Sequence, residues 1–199
     1  MRARTTAQGD GSPAPAAGCD AAPPGPYPSG GLAPSAEAYL PEGRVSLPVL
    51  RRAVLRCKGC GIYRCGTRAV FGEGPPEVES GRAAAIMLVG EQPGDHEERQ
   101  GRPFVGPAGK LLDRALVEAG IDRKRVYVTN AVKHFKFVMR GKRRIHQAPR
   151  LPEIAACRPW VEAELALIKP ETLVCLGATA ARSLLGPEFR LMRDRGRVF

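Results

Sequence analysis

The sequence predicts an α/β domain three layers deep, with a central, mainly parallel sheet covered by helices on both faces. Three observations lead there. Segments 85–89, 126–132 and 172–176 are short, apolar or β-rich runs, and the first and third end on Gly90 and Gly177. Segments 107–119, 152–168 and 178–185 carry apolar residues at helical spacing. The two kinds alternate along the chain, the pattern of crossover units, and ligands of such sheets gather at the carboxyl ends of the strands.

Each element has a local reason. Packing begins near Val45, where Ser46 is a fair cap and Pro48 is tolerated in a first turn. Leu47, Leu50, Val54 and Leu55 then predict a short helix leading into Cys57. Ala85 to Val89 reads as a buried strand that opens into Gly90-Glu91-Gln92-Pro93-Gly94-Asp95. Between Pro107 and Ala119, Leu111, Leu112, Ala115, Leu116 and Ala119 share one face, and Gly120 supplies the stop. Val126 to Val132 (VYVTNAV) is β-rich, Pro152 to Ile168 is an amphipathic helix, and Thr172 to Leu176 is a strand. Ala178 to Leu185 is a helix halted by Gly186-Pro187.

A chain of 199 residues accommodates one such core with an appendage. Residues 1–44 hold 15 of the 42 Gly and Pro residues and ten alanines without periodic apolar pattern. Such a stretch cannot bury enough surface to offset its ordering entropy, so it is expected to be a disordered tail. Residues 45–199 form the expected domain. The tail carries three Arg against four acidic residues, so the whole net charge of +11 belongs to the domain and points to a polyanionic partner.

No apolar run approaches the roughly 18–20 residues of a spanning helix, and no apolar segment follows the early arginines as in a secretory signal. No membrane association and a cytoplasmic location are expected, with a monomeric chain. In that reducing compartment Cys19, Cys57, Cys60, Cys65, Cys157 and Cys175 are expected to be metal ligands or buried thiols.

Cys57-Lys-Gly-Cys60 lets two thiolates converge on one centre, or forms a plain reduced pair. Cys157 is the best third ligand, and Cys65, Cys175 and His134 are candidates for the fourth. Spacing alone fits zinc or an iron–sulfur cluster. Glu91, at the mouth of a strand, suits a base, a cation stabiliser or a metal ligand, and equally a solvated turn. Gly101 to Gly109 is a glycine-rich approach to a helix that offers Phe104, and the Asn130 amide presents the donor and acceptor needed to read a pyrimidine edge. From Arg123 to Pro152 there are ten Lys and Arg and no Asp or Glu, interleaved with Tyr127, Phe135 and Phe137, as on a surface that tracks a nucleic-acid backbone.

These motifs occur together and in order: Cys57-x-x-Cys60, AVFGEG at 69–74, GEQPGD at 90–95, GRPFVGPAGKLLDRAL from Gly101, VYVTNAVKHFKF from Val126, KRRIH from Lys142 and ACRPW from Ala156. The combination resembles the iron–sulfur uracil-DNA glycosylases, specifically their X-type branch (UdgX), which bonds covalently to uracil-containing DNA. The resemblance covers about Val54 to Phe199. GEQPGD and KRRIH separate this branch from the hydrolytic thermophile-type relatives.

The resemblance implies a [4Fe-4S] cluster on Cys57, Cys60, His134 and Cys157, with His134 standing where the hydrolytic relatives have Cys, and zinc as the alternative. It implies uracil binding by Gln92, Phe104 and Asn130, and catalysis by Glu91 and His146. His146, in the KRRIH loop, attacks C1′ in place of water, while Lys142, Arg143 and Arg144 hold DNA phosphates. Uracil-containing DNA, preferentially single-stranded, is the implied partner. Relatives continue past the equivalent of Phe199 into another strand and helix with an HPS-type motif, so a fold lacking that C-terminal strand and helix is expected, with activity correspondingly in question.

Overall fold

The computed structural model describes residues 35–66, 68–75 and 84–199; residues 1–34, most of the expected tail, and Cys19 with them, lie outside these. Strands β1 (Ile86–Gly90), β2 (Val126–Asn130) and β5 (Thr172–Cys175) form a parallel sheet in the order β2–β1–β5. Gly90 stands beside Asn130, and Val89 lies between Thr129 and Cys175, so the strands finish together on one edge. Strands β3 (Phe137–Arg140) and β4 (Arg143–His146) form a separate antiparallel hairpin.

The two-residue period of the strands sorts their side chains onto two faces. Met87, Val89 and Tyr127 join the larger core with Leu50 and Val54 of α1 (Leu47–Val54), Trp160 and Val161 of α4 (Leu151–Ile168) and Ala180 of α5 (Ala178–Leu185). Leu88, Val126 and Val128 face the other way, against Leu116 of α3 (Pro107–Glu118), with Leu112, Ile121 and Phe104 packed alongside. The result is a three-layer α/β/α arrangement. Two short helices, α2 (Asp95–Gln100) and α6 (Leu191–Asp194), complete it.

The structure shifts several expectations. The packed chain starts before Val45: Ala36–Tyr39 is a 3₁₀ turn against α4, its Ala36 is buried, and the Ser35 hydroxyl accepts the Glu37 N–H. On α3 only Gly109 and Leu116 are buried, while Leu111 is 60% exposed, because the helix meets the sheet along a narrow stripe. Strand β2 ends at Asn130 rather than Val132. There the chain crosses toward β1, where the Ala131 and Val132 amides donate to Gly90 O and Glu91 O at 2.8 and 3.0 Å. The expected KRRIH loop is β-structure, and α2 was not foreseen. Among the described residues, no helix is long and apolar enough to cross a membrane.

Candidate active site

The parallel register delivers Glu91 and Asn130 to the same sheet edge. Glu91 Oε1 lies 3.1 Å from His146 Nε2, and its Oε2 accepts the Thr179 hydroxyl at 2.5 Å from the first turn of α5. The His146 contact, reinforced by Thr179 and opposed by partial burial, holds the Glu91 carboxyl below its ordinary range. Glu91 is therefore a carboxylate at neutral pH, paired with an imidazole that is half exposed.

Beside this pair opens a cavity of about 290 Å³, near the lower end of the size range of small-ligand sites, bordered by Gln92, Glu97, Phe104, Asn130 and His146. Phe104 has φ +55°, a left-handed conformation costing on the order of 1–2 kcal/mol in a non-glycine residue. Two glycines make its pose attainable. A Cβ on Gly109 would sit 1.8 Å from Phe104 O. A Cβ on Gly90 would sit 2.7 Å from the Phe104 ring and 2.5 Å from Asn130 Oδ1, so a bare strand end lets ring and amide approach. Glu97 fastens the arrangement from behind: its two oxygens accept the Gly94 and Gly106 amides at 3.0 and 2.8 Å, tying the chain entry of α2 to that of α3. The Asn130 amide bonds to no other side chain among the described residues and faces the cavity ready for a ligand.

His146 occupies the root of the β3–β4 hairpin, opposite Phe137. The Gln92 amide grips that root, donating to Lys136 O and Gln147 O at 3.1 Å each and accepting the Lys136 N–H at 3.2 Å. The Gln92 side chain, expected on uracil, is thus consumed by the hairpin. Arg144, expected on phosphate, is instead paired with Asp95 and Glu98 of α2, and its guanidinium lies over Phe137 and Phe135 at 5.0 and 5.6 Å. It locks the hairpin to the helix that follows Glu91.

The basic stretch is less uncompensated than its own sequence suggests, because acids from outside it pack onto it. Lys133 is fully buried against Glu164, Lys136 pairs with Glu153, and Arg123 with Asp113. Arg140, Lys142 and Arg143 remain exposed at the hairpin tip, without side-chain partners among the described residues.

Cys57, Cys60, His134 and Cys157 are all buried. Cys57 Sγ accepts Trp160 Nε1–H at 3.2 Å and the Gly59 amide at 3.5 Å, while Cys157 Sγ accepts the Lys133 amide at 3.4 Å. Burial first, then the neighbouring Cys57, pushes the Cys60 thiol up to about 11, and burial with Cys60 nearby raises Cys157 further. Burial pushes His134 down to about 4, so its imidazole is neutral. Cys57 and His134 border one cavity of about 330 Å³ with Arg56, Lys58 and Arg68 on its walls. Among the described residues no three His, Cys, Asp or Glu side chains form a ready site for a single metal ion. Cys175 is a half-buried free thiol on β5, and Cys65 is in a disulfide rather than a thiol.

Residues 77–199 match the family model of the uracil DNA glycosylase superfamily. The chain belongs to that superfamily. It is 36% identical over 159 residues to the type-4 uracil-DNA glycosylase of Sulfurisphaera tokodaii, covering 77% of this chain and 66% of that protein. With the type-4 uracil-DNA glycosylase of Thermotoga maritima it shares 37% identity over 151 residues, 75% of this chain and 72% of the relative. The type-5 uracil-DNA glycosylase of Thermus thermophilus is 37% identical over 134 residues, covering 59% and 54%. The chain thus spans about two thirds of the length of its type-4 relatives.

Within this superfamily member, the residues that sequence reasoning missed are supporting ones, of which Glu97 also borders the cavity. Thr179, Glu98 and Glu164 have partners remote in sequence, whereas Glu97 bridges the nearby Gly94 and Gly106 amides. Glu97 and Glu98 left a local signal, acids in the first turn of a helix that follows Gly94.

Proposed function

We propose that this chain is a uracil-DNA glycosylase of the X-type branch that removes uracil from DNA, preferentially single-stranded, and captures the resulting sugar on His146. The observation that carries this reading is the 3.1 Å contact between Glu91 and His146 at the cavity bordered by Phe104 and Asn130. An extruded uracil fits such a site. Phe104 stacks on the ring, and the Asn130 amide matches uracil O4 and N3–H, a pattern that cytosine reverses. The main chain of Gln92 remains available to the base, since its side chain is engaged.

Cleavage of the C1′–N1 bond sends the electron pair to uracil and leaves an oxocarbenium-like sugar. The Glu91 carboxylate stabilises that charge. It also takes the Nε2 proton of His146, whose lone pair then forms the new bond to C1′; the proton passes on to the uracil anion. The product is a neutral N-alkylated imidazole, a poor leaving group toward water. Arg140, Lys142 and Arg143 contact the backbone of the bound strand.

Cys57, Cys60, His134 and Cys157 would hold a [4Fe-4S] cluster. Their fit rests on burial, on a neutral imidazole, and on N–H donors already aimed at the sulfurs of Cys57 and Cys157. When bound, the cluster ties the end of α1 to α4 and the exit of β2, and offers a one-electron couple.

The test is incubation of the purified protein with a uracil-containing single strand, read on a denaturing gel. A retarded band that disappears in His146→Ala supports the covalent reading. Free uracil without the band indicates a hydrolytic glycosylase. Salt-sensitive binding indifferent to uracil indicates a DNA-binding module. Absorbance near ~400 nm with iron supports the cluster, and stoichiometric zinc excludes it.

A further inference from the structure

Directly beneath the Asn130 end of β2 lies a polar network with no exposure to solvent. Lys133 Nζ donates to Glu164 Oε2 at 2.6 Å, to the Thr129 hydroxyl at 2.7 Å and to Asn130 O at 2.9 Å. Glu164, on α4, also accepts the Tyr127 and Thr129 hydroxyls and the Gly72 amide, each at 3.0 Å on Oε1. Both charged side chains are 0% exposed.

A fully buried ion pair is a poor source of stability, since desolvation offsets attraction and apolar replacements of similar volume often fold as well. What such a pair does supply is a unique local arrangement of the groups it bonds. Here those groups are consecutive members of the β2 end, and the carbonyl that Lys133 holds belongs to Asn130. The Lys133 main chain meanwhile donates to Cys157 Sγ. One residue therefore touches both the main-chain carbonyl of Asn130, whose side-chain amide would read the base, and a candidate cluster ligand.

We propose that Lys133 and Glu164 are positioning residues for base recognition: by fixing the backbone at Asn130 from below, they set the orientation of its amide and hence the discrimination of uracil from cytosine. The proposal deepens the glycosylase reading and rests on it. Neither side chain touches the cavity. The pair acts through Thr129 and the Asn130 carbonyl, while Gly90 leaves room for the Asn130 amide and the Phe104 ring on the adjoining strand end.

The decisive variant is the double replacement Lys133→Met with Glu164→Leu, which removes both charges without stranding either. Its melting curve and cluster content establish that it folds and loads like the parent. Lys133→Met alone strands Glu164 and serves to show the cost of breaking the pair. The first readout is the Asn130 side-chain amide resonance without substrate. The second is the rate on uracil against cytosine in a single strand. The folded double variant is expected to shift or broaden that resonance, to slow uracil processing by on the order of 10²-fold and to narrow the preference for uracil. Affinity for a uracil-free strand stays unchanged. A folded double variant with the parent's Asn130 resonance and the parent's rates overturns the proposal. A parent inert to uracil overturns the glycosylase reading instead, and that result is visible before any variant is compared.

Discussion

Glu91 and His146 are 55 residues apart in sequence, one just past the end of β1 and the other closing β4 of the hairpin, and their side chains stand 3.1 Å from one another. Two anchors create the contact: the Gln92 amide at the hairpin root and the Arg144 guanidinium on α2.

Thr179 helps keep Glu91 ionised, so its loss has a pH signature. Thr179→Val removes a hydrogen bond to the carboxylate and moves the Glu91 pKa upward, toward the ordinary range. The proton count fixes the direction: a less acidic Glu91 is protonated at higher pH. Under the proposed reaction, the acid limb of the pH–rate profile shifts to higher pH while the rate at neutral pH changes little. A pH–rate profile of parent and variant checks it.

Replacing Glu97 by Gln turns one of two acceptors into a donor facing a backbone N–H. The Gly94 and Gly106 amides cannot both be satisfied. A loss of about 1–3 kcal/mol in unfolding free energy is expected, with weaker capture of uracil because the Phe104 segment loosens. Denaturant titration and the substrate dependence of the rate report the two effects.

Arg144→Lys preserves charge but loses the planar fork that reaches Asp95 and Glu98 together and stacks on two aromatic rings. Under the proposed reaction, adduct formation slows, whereas affinity for a uracil-free strand is unaltered because Arg144 is mostly shielded. By contrast, Lys142→Ala with Arg143→Ala lowers the slope of log affinity against log salt by roughly 0.7 for each cation on single-stranded DNA. Binding titrations at several salt concentrations separate the two classes.

Burial of His134 imposes a pH dependence on the metal-free chain. Its pKa is about 4 when folded and ordinarily 6.5, so on acidification the unfolded chain takes up a proton first. Stability therefore falls between pH 6.5 and about 4 and changes no further from this group below that. The loss is on the order of 3 kcal/mol at most. His134→Asn flattens that part of the curve, measured by melts across pH.

Much of the scaffold was legible because it is locally encoded. The helix predicted over 178–185 matches α5, and the long helix from Pro152 differs from α4 by one residue, since caps, stops and apolar spacing all act within a few positions. The approach of Glu91 to Asn130 follows from parallel strands that finish on one edge, whereas His146 is brought there by the hairpin and its anchors. What escaped was the pairing of charges. Lys133, Arg144 and Glu164 look like surface residues in sequence, and only the third dimension reveals the partners that bury them. The hairpin escaped because RRIH is not an alternating apolar strand; its Arg144 side is held by aromatic and acidic neighbours instead.

The hairpin's short turn separates two tasks by distance along the same arm. His146 and the exposed Lys142 and Arg143 lie at opposite ends of β4, and the Gln92 grip acts only at the His146 end. Inserting matched residues on both sides of Gly141 should therefore lengthen the cationic arm without disturbing the geometry at its root, making reach along a strand an adjustable property of this scaffold and chemistry at its base a fixed one.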